Sequence, residues 1–432
     1  MSDVPTTMSQ QADTLQPADT HRLYDPVIIL LAGALMTLGV TMVYSATITL
    51  EGTATDWRQW WRSPLRQGVF AFLGFLVMLV AAHVDYRVLG WRRRADGWRA
   101  GLLLLLTVGL LVAVLVPGVG RSVLGARRAI VIPGLAVGFQ PSELAKVTLV
   151  IWIAALLTRP TVVPKLGRRS YPLLRPRDAA DRRDPLVGAT RMTAYTRGDI
   201  RDFQSGFLPL ILSAGVVIAL IGVEDFGTAA LMGVIMLAML LVGRARWSHL
   251  TFTTLLAFAG GVALILVKEH RVGRIQTWLS GEADPSGAGY QIRQALLAIG
   301  SGGWFGQGLG AGVQKYGYLP QDNNDFIFGI ICEELGVVGG LVVVGLFLAL
   351  LVRGWQIAER APDRFGRLLA MGITLTLCLQ AAFNIGVVTN SVPTKGISLP
   401  FVSAGGSGVV VLGLAAGLLS AIGRSHPPKA EP

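Results

Sequence analysis

Apolar runs of about 20 residues, the length that crosses the hydrocarbon core of a bilayer, recur along the whole chain. The composition agrees, because 52% of the residues are hydrophobic and only 15% are charged. In a soluble domain about a quarter of the residues are charged. We therefore predict an all-α, polytopic integral membrane protein and exclude an ordinary soluble domain.

The apolar runs predict ten transmembrane helices. They lie near 26–49, 67–84, 101–117, 142–158, 206–222, 228–242, 249–267, 326–352, 366–389 and 406–423.

Arginine is unevenly distributed between the connectors of these helices. The connectors 85–100, 159–205, 243–248 and 353–365 hold most of it, and positively charged connectors stay in the cytoplasm. Both termini are therefore predicted to be cytoplasmic. The net charge of +12 follows from this topology and from attraction to anionic lipid headgroups, so it does not indicate a nucleic-acid partner.

The connectors also define the domain organisation. A transmembrane domain over 26–425 lies between cytoplasmic tails over 1–25 and 426–432. The first tail is rich in Asp, Thr and Gln, which predicts disorder, and it has no apolar core typical of a cleavable signal peptide. The Arg/Asp/Pro-rich loop 159–205 is predicted to be a cytoplasmic insertion. The loop 268–324 is predicted to lie outside, and helical periodicity in GYQIRQALLAIG argues against disorder there.

Two patterns that could indicate other functions are weak. Both cysteines, Cys332 and Cys378, fall inside apolar runs, so a disulfide framework or a metal site is not predicted. The segment GQGLGAG at 306–312 has the glycine spacing of a nucleotide loop. No predicted strand precedes it, and no dinucleotide-binding unit surrounds it.

The junction between the outer loop and the next apolar run is the strongest candidate for chemistry. A glycine-rich polar segment ends at Asp325, where a membrane-length apolar run begins. Charge at membrane depth is costly and is usually functional. From the residues alone, Asp325 is better explained as the N-cap of the following helix, because Asp is a preferred cap. The alternative is a general base.

Two further carboxylates, Glu333 and Glu334, lie inside the same apolar run. A helical rise of about 1.5 Å per residue places them roughly 12 Å below Asp325, too deep to share one proton-transfer site. We predict that they have a structural or network role near a helix kink, paired with a basic residue such as Lys146 or Arg128.

Four basic residues are candidates for binding phosphate. Lys146 shares one helix face with Glu143 through i,i+3 spacing, which fits either a local ion pair or contact with a substrate phosphate. Arg127 and Arg128 lie outside, just before the fourth helix, where they could hold a pyrophosphate or contact lipid headgroups. Lys395 lies in the Pro/Gly-interrupted segment PTKGISLPFVSAGGSG. We predict that this segment lines an outer cavity, with Lys395 on phosphate or on Asp325, although a plain connector is the alternative.

Six motifs, in order along most of the chain, together resemble the SEDS proteins (shape, elongation, division and sporulation), which include RodA and FtsW. They are FQPSELAK at 139–146, EDFGTA at 224–229, DPSGAGYQI at 284–292, GGWFGQGLGAGVQKYGYLP at 302–320, DFIFGIICEELGVVG at 325–339 and NIGVVTNSVPTKGISLPFVSAGGSG at 384–408. The PTKG sequence is more similar to the FtsW branch.

The resemblance implies a peptidoglycan glycan-chain polymerase of the bacterial cytoplasmic membrane that uses lipid II. It makes Asp325 the catalytic base, with Lys146, Glu143, Lys395 and the two arginines binding substrate. Gln314 and Lys315, in the matching loop motif, are also assigned to substrate binding. A divalent cation (Mg²⁺ or Mn²⁺) could neutralise the pyrophosphate, with Asp325 a possible ligand, and no organic cofactor is expected.

The resemblance also implies partners: a class B penicillin-binding protein and other membrane proteins of the division or elongation machinery. Two alternatives stay open. A lipid II flippase would suit intramembrane charges and interrupted helices. An inactive scaffold for the transpeptidase would suit the departures from the family pattern near the proposed site, which are Ala129, Gln321, Asn323, Asn324 and Ala404.

Overall fold

The computed structural model describes residues 24–47, 65–90, 98–123, 126–132, 137–159, 199–280, 288–314 and 325–424. Nearly all of the two predicted tails, most of the insertion 159–205, and Lys315 lie outside the described residues.

The described chain is mostly helical. In chain order its elements are α1 (Pro26–Thr47), α2 (Arg66–His83), a 3₁₀ turn (Tyr86–Leu89), α3 (Trp98–Leu115), β1 (Gly120–Val123), β2 (Ala126–Ile132), β3 (Val137–Phe139), α4 (Pro141–Leu157), a π turn (Phe203–Phe207), α5 (Leu208–Glu224), α6 (Phe226–Val242), α7 (Trp247–Leu266), α8 (Glu269–Ser280), α9 (Ala288–Gly302), α10 (Ile327–Arg360), α11 (Arg364–Val388) and α12 (Gly406–Ile422).

Each of the ten apolar runs predicted from the sequence overlaps one of these helices, and the predicted helical periodicity of the outer loop corresponds to α9. In the part of the chain that the structure describes, six helical segments are long and apolar enough to cross a membrane: those of α1, α2, α5 with its π turn, α7, α10 and α11. The chain is therefore a polytopic, mainly α-helical membrane protein, as predicted.

The helices α2 and α12 pack with their backbones in close contact. A Cβ atom at Gly413 would collide with the Gly74 carbonyl oxygen, and one at Gly417 would collide with the Met78 carbonyl oxygen. Small residues let membrane helices approach closely enough to gain dispersion energy without a hydrophobic driving force. This pair supports one side of the candidate site, because α12 begins at the cavity described below.

Connectors predicted to be cytoplasmic lie together at one end of the helix bundle. Arg353 Nη2 lies 2.6 Å from Asp25 Oδ2, which joins the end of α10 to the start of α1. Arg87 Nε donates to Asp363 Oδ2 at 3.1 Å, which joins the 3₁₀ turn to α11. Arg364 donates to the Gly243 carbonyl oxygen at 3.0 Å. These contacts place connectors predicted to be cytoplasmic at the same end of the bundle, which agrees with the predicted topology.

A small antiparallel sheet, β1-β2-β3, lies between α3 and α4, where the sequence had predicted only a connector. Ile130 is paired with Gly120 on one side and with Phe139 on the other. The register between β1 and β2 shifts next to Arg121. The strands have only 4, 7 and 3 residues, too short for alternating hydrophobicity to distinguish them from an apolar connector.

The helix α10 is broken at Gly336, where φ is 71° and ψ is −173°. That conformation is essentially restricted to glycine. The break opens the backbone of α10 to a neighbouring segment, residues 303–314, which we call the glycine loop. Val337 N donates to the Gly303 carbonyl oxygen at 2.9 Å, and Gln307 N donates to the Glu333 carbonyl oxygen at 3.0 Å.

The buried carboxylates of Glu333 and Glu334 fix the same glycine loop. Glu333 Oε1 accepts from the backbone N–H of Val313 at 2.7 Å. Glu334 accepts from the Ser45 hydroxyl at 2.6 and 2.8 Å and from Gly310 N at 3.1 Å. The predicted pairing with Lys146 was wrong, because Lys146 pairs with Glu143 and backbone N–H groups of a local loop supply donors that a pattern of charged residues cannot reveal. Pairing with Arg128, whose side chain lies outside the described residues, stays a prediction.

Replacing Gly336 with Ala should destabilise the protein. A Cβ there would collide with the Trp304 carbonyl oxygen and with Gly306 N, and the strained backbone alone costs about 1–3 kcal/mol for a non-glycine residue. Thermal unfolding in detergent should show a clearly lowered Tm. Gly345→Ala is the matched control, since nothing lies within 4 Å of its added Cβ, and equal Tm values for the two variants would contradict this account of the helix break.

Candidate functional site

A polar cavity of about 190 Å³ lies where α4, α6, α10, α11 and α12 meet. Backbone of the small sheet and of residues 389–405, which we call the wall segment, completes its lining. Its polar lining residues include Glu143, Lys146, Asp225, Asp325, Gln380 and Ser403. Residues from distant parts of the sequence therefore bring three carboxylates and one ammonium group to one cavity.

Lys146 and Glu143 form a buried ion pair inside α4. The Lys146 ammonium lies 2.9 Å from both carboxylate oxygens of Glu143, and it also donates to Gln380 Oε1 at 2.6 Å. Only 1% of Lys146 is exposed. The i,i+3 pair predicted from the sequence is present, and contact of Lys146, which also lines the cavity, with a phosphate stays a prediction.

Asp325 lies in a turn just before α10 and lines the cavity. The helix begins at Ile327 and its N-cap is Phe326, so the prediction that Asp325 is the N-cap residue was wrong by one position. The Asp325 carbonyl oxygen accepts a hydrogen bond from Asn384 Nδ2 at 2.7 Å. The backbone of Asp325 is thus held by α11 while its side chain is half-buried at the cavity.

Lys395 lies in the wall segment, 4.5 Å from the ring centroid of Phe226. Burial lowers the pKa of Lys395, and the negative charge of Asp225 partly offsets that shift. The neighbouring Gly396 lines the cavity, as predicted for this segment. The predicted contact of Lys395 with phosphate or with Asp325 stays a prediction.

Three further residues, Arg127, Arg128 and Gln314, were predicted to bind substrate. Arg127 and Arg128 belong to β2, whose Ala129 lines the cavity, but their side chains lie outside the described residues. Gln314 donates its backbone N–H to Glu333 Oε1 at 3.2 Å, in the glycine loop. A substrate role for these residues stays a prediction.

Three polar residues in or near the cavity were not among the candidates predicted from the sequence. Asp225 caps α6 by accepting from Thr228 N at 3.1 Å and from its hydroxyl at 2.8 Å. Gln380 and Asn384 are fully buried polar residues of α11. The sequence carried one signal for these two amides, which is their i,i+4 spacing in a mainly apolar helix. Buried polar groups require hydrogen-bond partners, so the pair indicated a polar contact.

Residues 25–427 match a family model described as a cell cycle protein, which groups FtsW, RodA and SpoVE. This is the SEDS family. The chain belongs to it. The resemblance drawn from the six motifs is therefore confirmed over nearly the whole length of this SEDS protein.

Curated relatives are similar over almost all of their own length. A "probable peptidoglycan glycosyltransferase FtsW" of Geobacter sp. (strain M18) is 38% identical over 397 residues, which cover 92% of this chain and 95% of that protein. The "stage V sporulation protein E" of Bacillus subtilis (strain 168) is 34% identical over 403 residues, which cover 93% of this chain and 97% of that one.

Solved structures share the fold. The rod shape determining protein RodA of Thermus thermophilus is 26% identical, with a TM-score of 0.56 over 94% of this chain and 98% of that one. A chain from a study of polymerisation and crosslinking by a peptidoglycan synthase complex has a TM-score of 0.64 over 92% of this chain and 97% of its own. Its 23% identity supports likeness of fold alone.

Proposed function

We propose that this SEDS protein is a peptidoglycan glycosyltransferase that polymerises lipid II on the outer face of the bacterial cytoplasmic membrane. The observation that carries the proposal is the cavity that Asp325 shares with the Lys146–Glu143 pair. A carboxylate suited to proton transfer and a cation suited to phosphate lie in one polar cavity of a membrane protein. The FtsW relatives, which are named probable peptidoglycan glycosyltransferases, agree with this function.

In the proposed reaction, Asp325 accepts the proton of the acceptor sugar hydroxyl as that oxygen attacks the anomeric carbon of the donor. A new glycosidic C–O bond forms while the bond from the anomeric carbon to the lipid pyrophosphate breaks, with inversion at that carbon. The electron pair of the broken bond leaves on the pyrophosphate. Lys146 stabilises that growing charge, since fixed donors in a water-poor site are most effective where charge develops.

A divalent cation fits this site only together with the substrate. Among the described residues, no three His, Cys, Asp or Glu side chains lie close enough to hold a metal ion. Carboxylate oxygens do line the cavity, and Mg²⁺ is commonly held by one or two carboxylates plus substrate phosphates. When bound, such an ion would neutralise pyrophosphate charge, with Asp325 as the candidate protein ligand.

The proposed partner is a class B penicillin-binding protein, which would crosslink the glycan strand, together with other membrane proteins of the division or elongation machinery. One solved structure with the same fold comes from a peptidoglycan synthase complex that coordinates polymerisation with crosslinking, according to its description.

The proposed topology has ten spans, both termini in the cytoplasm, and the cavity facing outward. Cysteine-reactive reagents applied from outside should label a cysteine introduced at Ser286 and should miss one introduced at Ala180. The reason is that arginine-rich connectors stay inside. A cysteine at Ala245, in the short connector between α6 and α7, is a second inside control. The reverse labelling pattern would place Asp325 on the wrong side for lipid II polymerisation.

Polymerisation and transport can be separated in one vesicle experiment. The protein is reconstituted with fluorescent lipid II, and two products are measured: glycan polymer, and lipid II moved between leaflets. The proposed function predicts Asp325-dependent polymer from lipid II already in the leaflet that the cavity faces. Movement between leaflets without polymer would favour the flippase alternative, and neither product in the presence of an intact partner complex would favour the scaffold.

A further inference from the structure

Two amide side chains, Gln380 and Asn384, lie one helical turn apart on the same face of α11. Gln380 is 0% exposed and Asn384 is 1% exposed. Burying an amide in an apolar environment is costly unless it is hydrogen-bonded. The identity of their partners therefore decides what the two residues contribute.

Asn384 joins the backbone of Asp325 to the wall segment. Its Nδ2 donates to the carbonyl oxygen of Asp325 at 2.7 Å and to that of Ile397 at 2.7 Å. Two carbonyl acceptors on one atom require that atom to be the NH₂ nitrogen, so the orientation of the amide is determined. One side chain thus holds the turn before α10 against the wall of the cavity.

Gln380 makes the equivalent connection for Lys146. Its Oε1 accepts from the Lys146 ammonium at 2.6 Å, and its Nε2 donates to the Ser398 carbonyl oxygen at 2.9 Å. Ser398 follows Ile397 directly in the wall segment. The two amides therefore attach two groups of the cavity, from α4 and from the turn before α10, to adjacent residues of one wall.

We propose that Gln380 and Asn384 are positioning residues that set the separation between the proton acceptor Asp325 and the phosphate-binding cation Lys146. The inference rests on the proposed function. Four residues of helix span about 6 Å, so one rigid helix face fixes both attachment points. Asn384 acts through the backbone of Asp325 and of Ile397, since it is not itself among the residues that line the cavity.

Loss of this positioning should lower the reaction rate strongly, because a misplacement of about 1 Å can lower the rate about 100-fold. If the two amides merely filled space in the core, replacing them would lower the stability of the protein without selectively lowering kcat. The two explanations therefore differ in what happens to kcat at constant substrate binding.

The decisive variant is Asn384→Leu, which keeps the branched shape and removes both hydrogen bonds. Polymerisation of lipid II by the purified full-length protein in complex with its partner should show kcat lowered about 100-fold. The KM should stay within about threefold, because no direct contact with substrate is lost. Thr376→Val is the matched control. It removes an equally buried polar group of α11 whose hydrogen bond, to the Gly372 carbonyl oxygen at 2.7 Å, stays within the helix.

Unchanged kcat in Asn384→Leu, or equal losses in Thr376→Val, would overturn the positioning role. If Asn384→Leu does not fold, Asn384→Gln keeps an amide donor on a longer side chain and displaces the attachment without removing it. A folded Asn384→Gln variant should lose kcat and keep its KM, and an unchanged kcat would again overturn the proposal. Absence of polymer from the wild-type protein itself would instead contradict the proposed function.

Discussion

Replacing Asp325 with Asn should leave a folded, membrane-inserted protein that makes almost no glycan polymer. The substitution keeps the size of the side chain and leaves the backbone carbonyl, which Asn384 holds at 2.7 Å, in place. It removes the only group in our mechanism that accepts the hydroxyl proton. General-base catalysis contributes about 10²–10⁴ in rate, and positioning of the two substrates contributes more.

Asp85→Asn is the matched control for this experiment. Asp85 caps the 3₁₀ turn by accepting from Arg87 N at 3.0 Å, on a connector at the opposite end of the bundle, and Asn caps about as well as Asp. The control should polymerise lipid II at the wild-type rate. Normal activity of Asp325→Asn would show that Asp325 is not the base, and loss of the protein from the membrane would show that its role is structural.

Replacing Lys146 with Met should remove most activity and also lower stability. The ammonium has three acceptors within 2.9 Å, on Glu143 and Gln380. Removing one partner of a buried ion pair costs about 3–5 kcal/mol, because the remaining charge is left uncompensated. Loss of one donor to a developing anion lowers kcat by about 10²–10³. The variant alone does not separate these two effects.

The double variant Lys146→Met with Glu143→Gln separates them. It removes the uncompensated charge, so the thermal stability lost in Lys146→Met should be largely restored. Polymerisation should stay low if Lys146 stabilises the leaving pyrophosphate. Recovery of both stability and activity would mean that Lys146 only neutralises Glu143, and the leaving group would then have to be stabilised by other basic residues, of which Arg127, Arg128 and Lys395 are the candidates.

The helices were predictable because the length of an apolar run is a direct physical requirement for crossing a bilayer. The three-stranded sheet was not, since strands of 3 to 7 residues carry little periodic signal. The start of α10 was predicted within one residue, but the helix extends to Arg360, beyond the predicted end at 352. Its break at Gly336 depends on a glycine loop that begins more than twenty residues earlier in the chain.

The candidate site was only partly visible in the sequence. Spacing alone predicted the Lys146–Glu143 pair, because i,i+3 neighbours share a helix face. Asp325 stood out as a charge at a membrane junction, although the residues alone favoured a capping role. Glu333 and Glu334 accept from backbone N–H groups of the glycine loop, and Glu334 also accepts from the Ser45 hydroxyl. Gln380 reaches Lys146 across 234 positions of sequence. Such contacts depend on tertiary packing and leave no local pattern.

The most direct test of the proposed function uses purified protein, lipid II and gel analysis of the product, with and without a class B penicillin-binding protein whose transpeptidase is inactivated. We expect glycan polymer from the complex formed with wild-type protein. Formation of the intact complex without any polymer, under conditions in which an FtsW relative polymerises the same lipid II, would contradict the account.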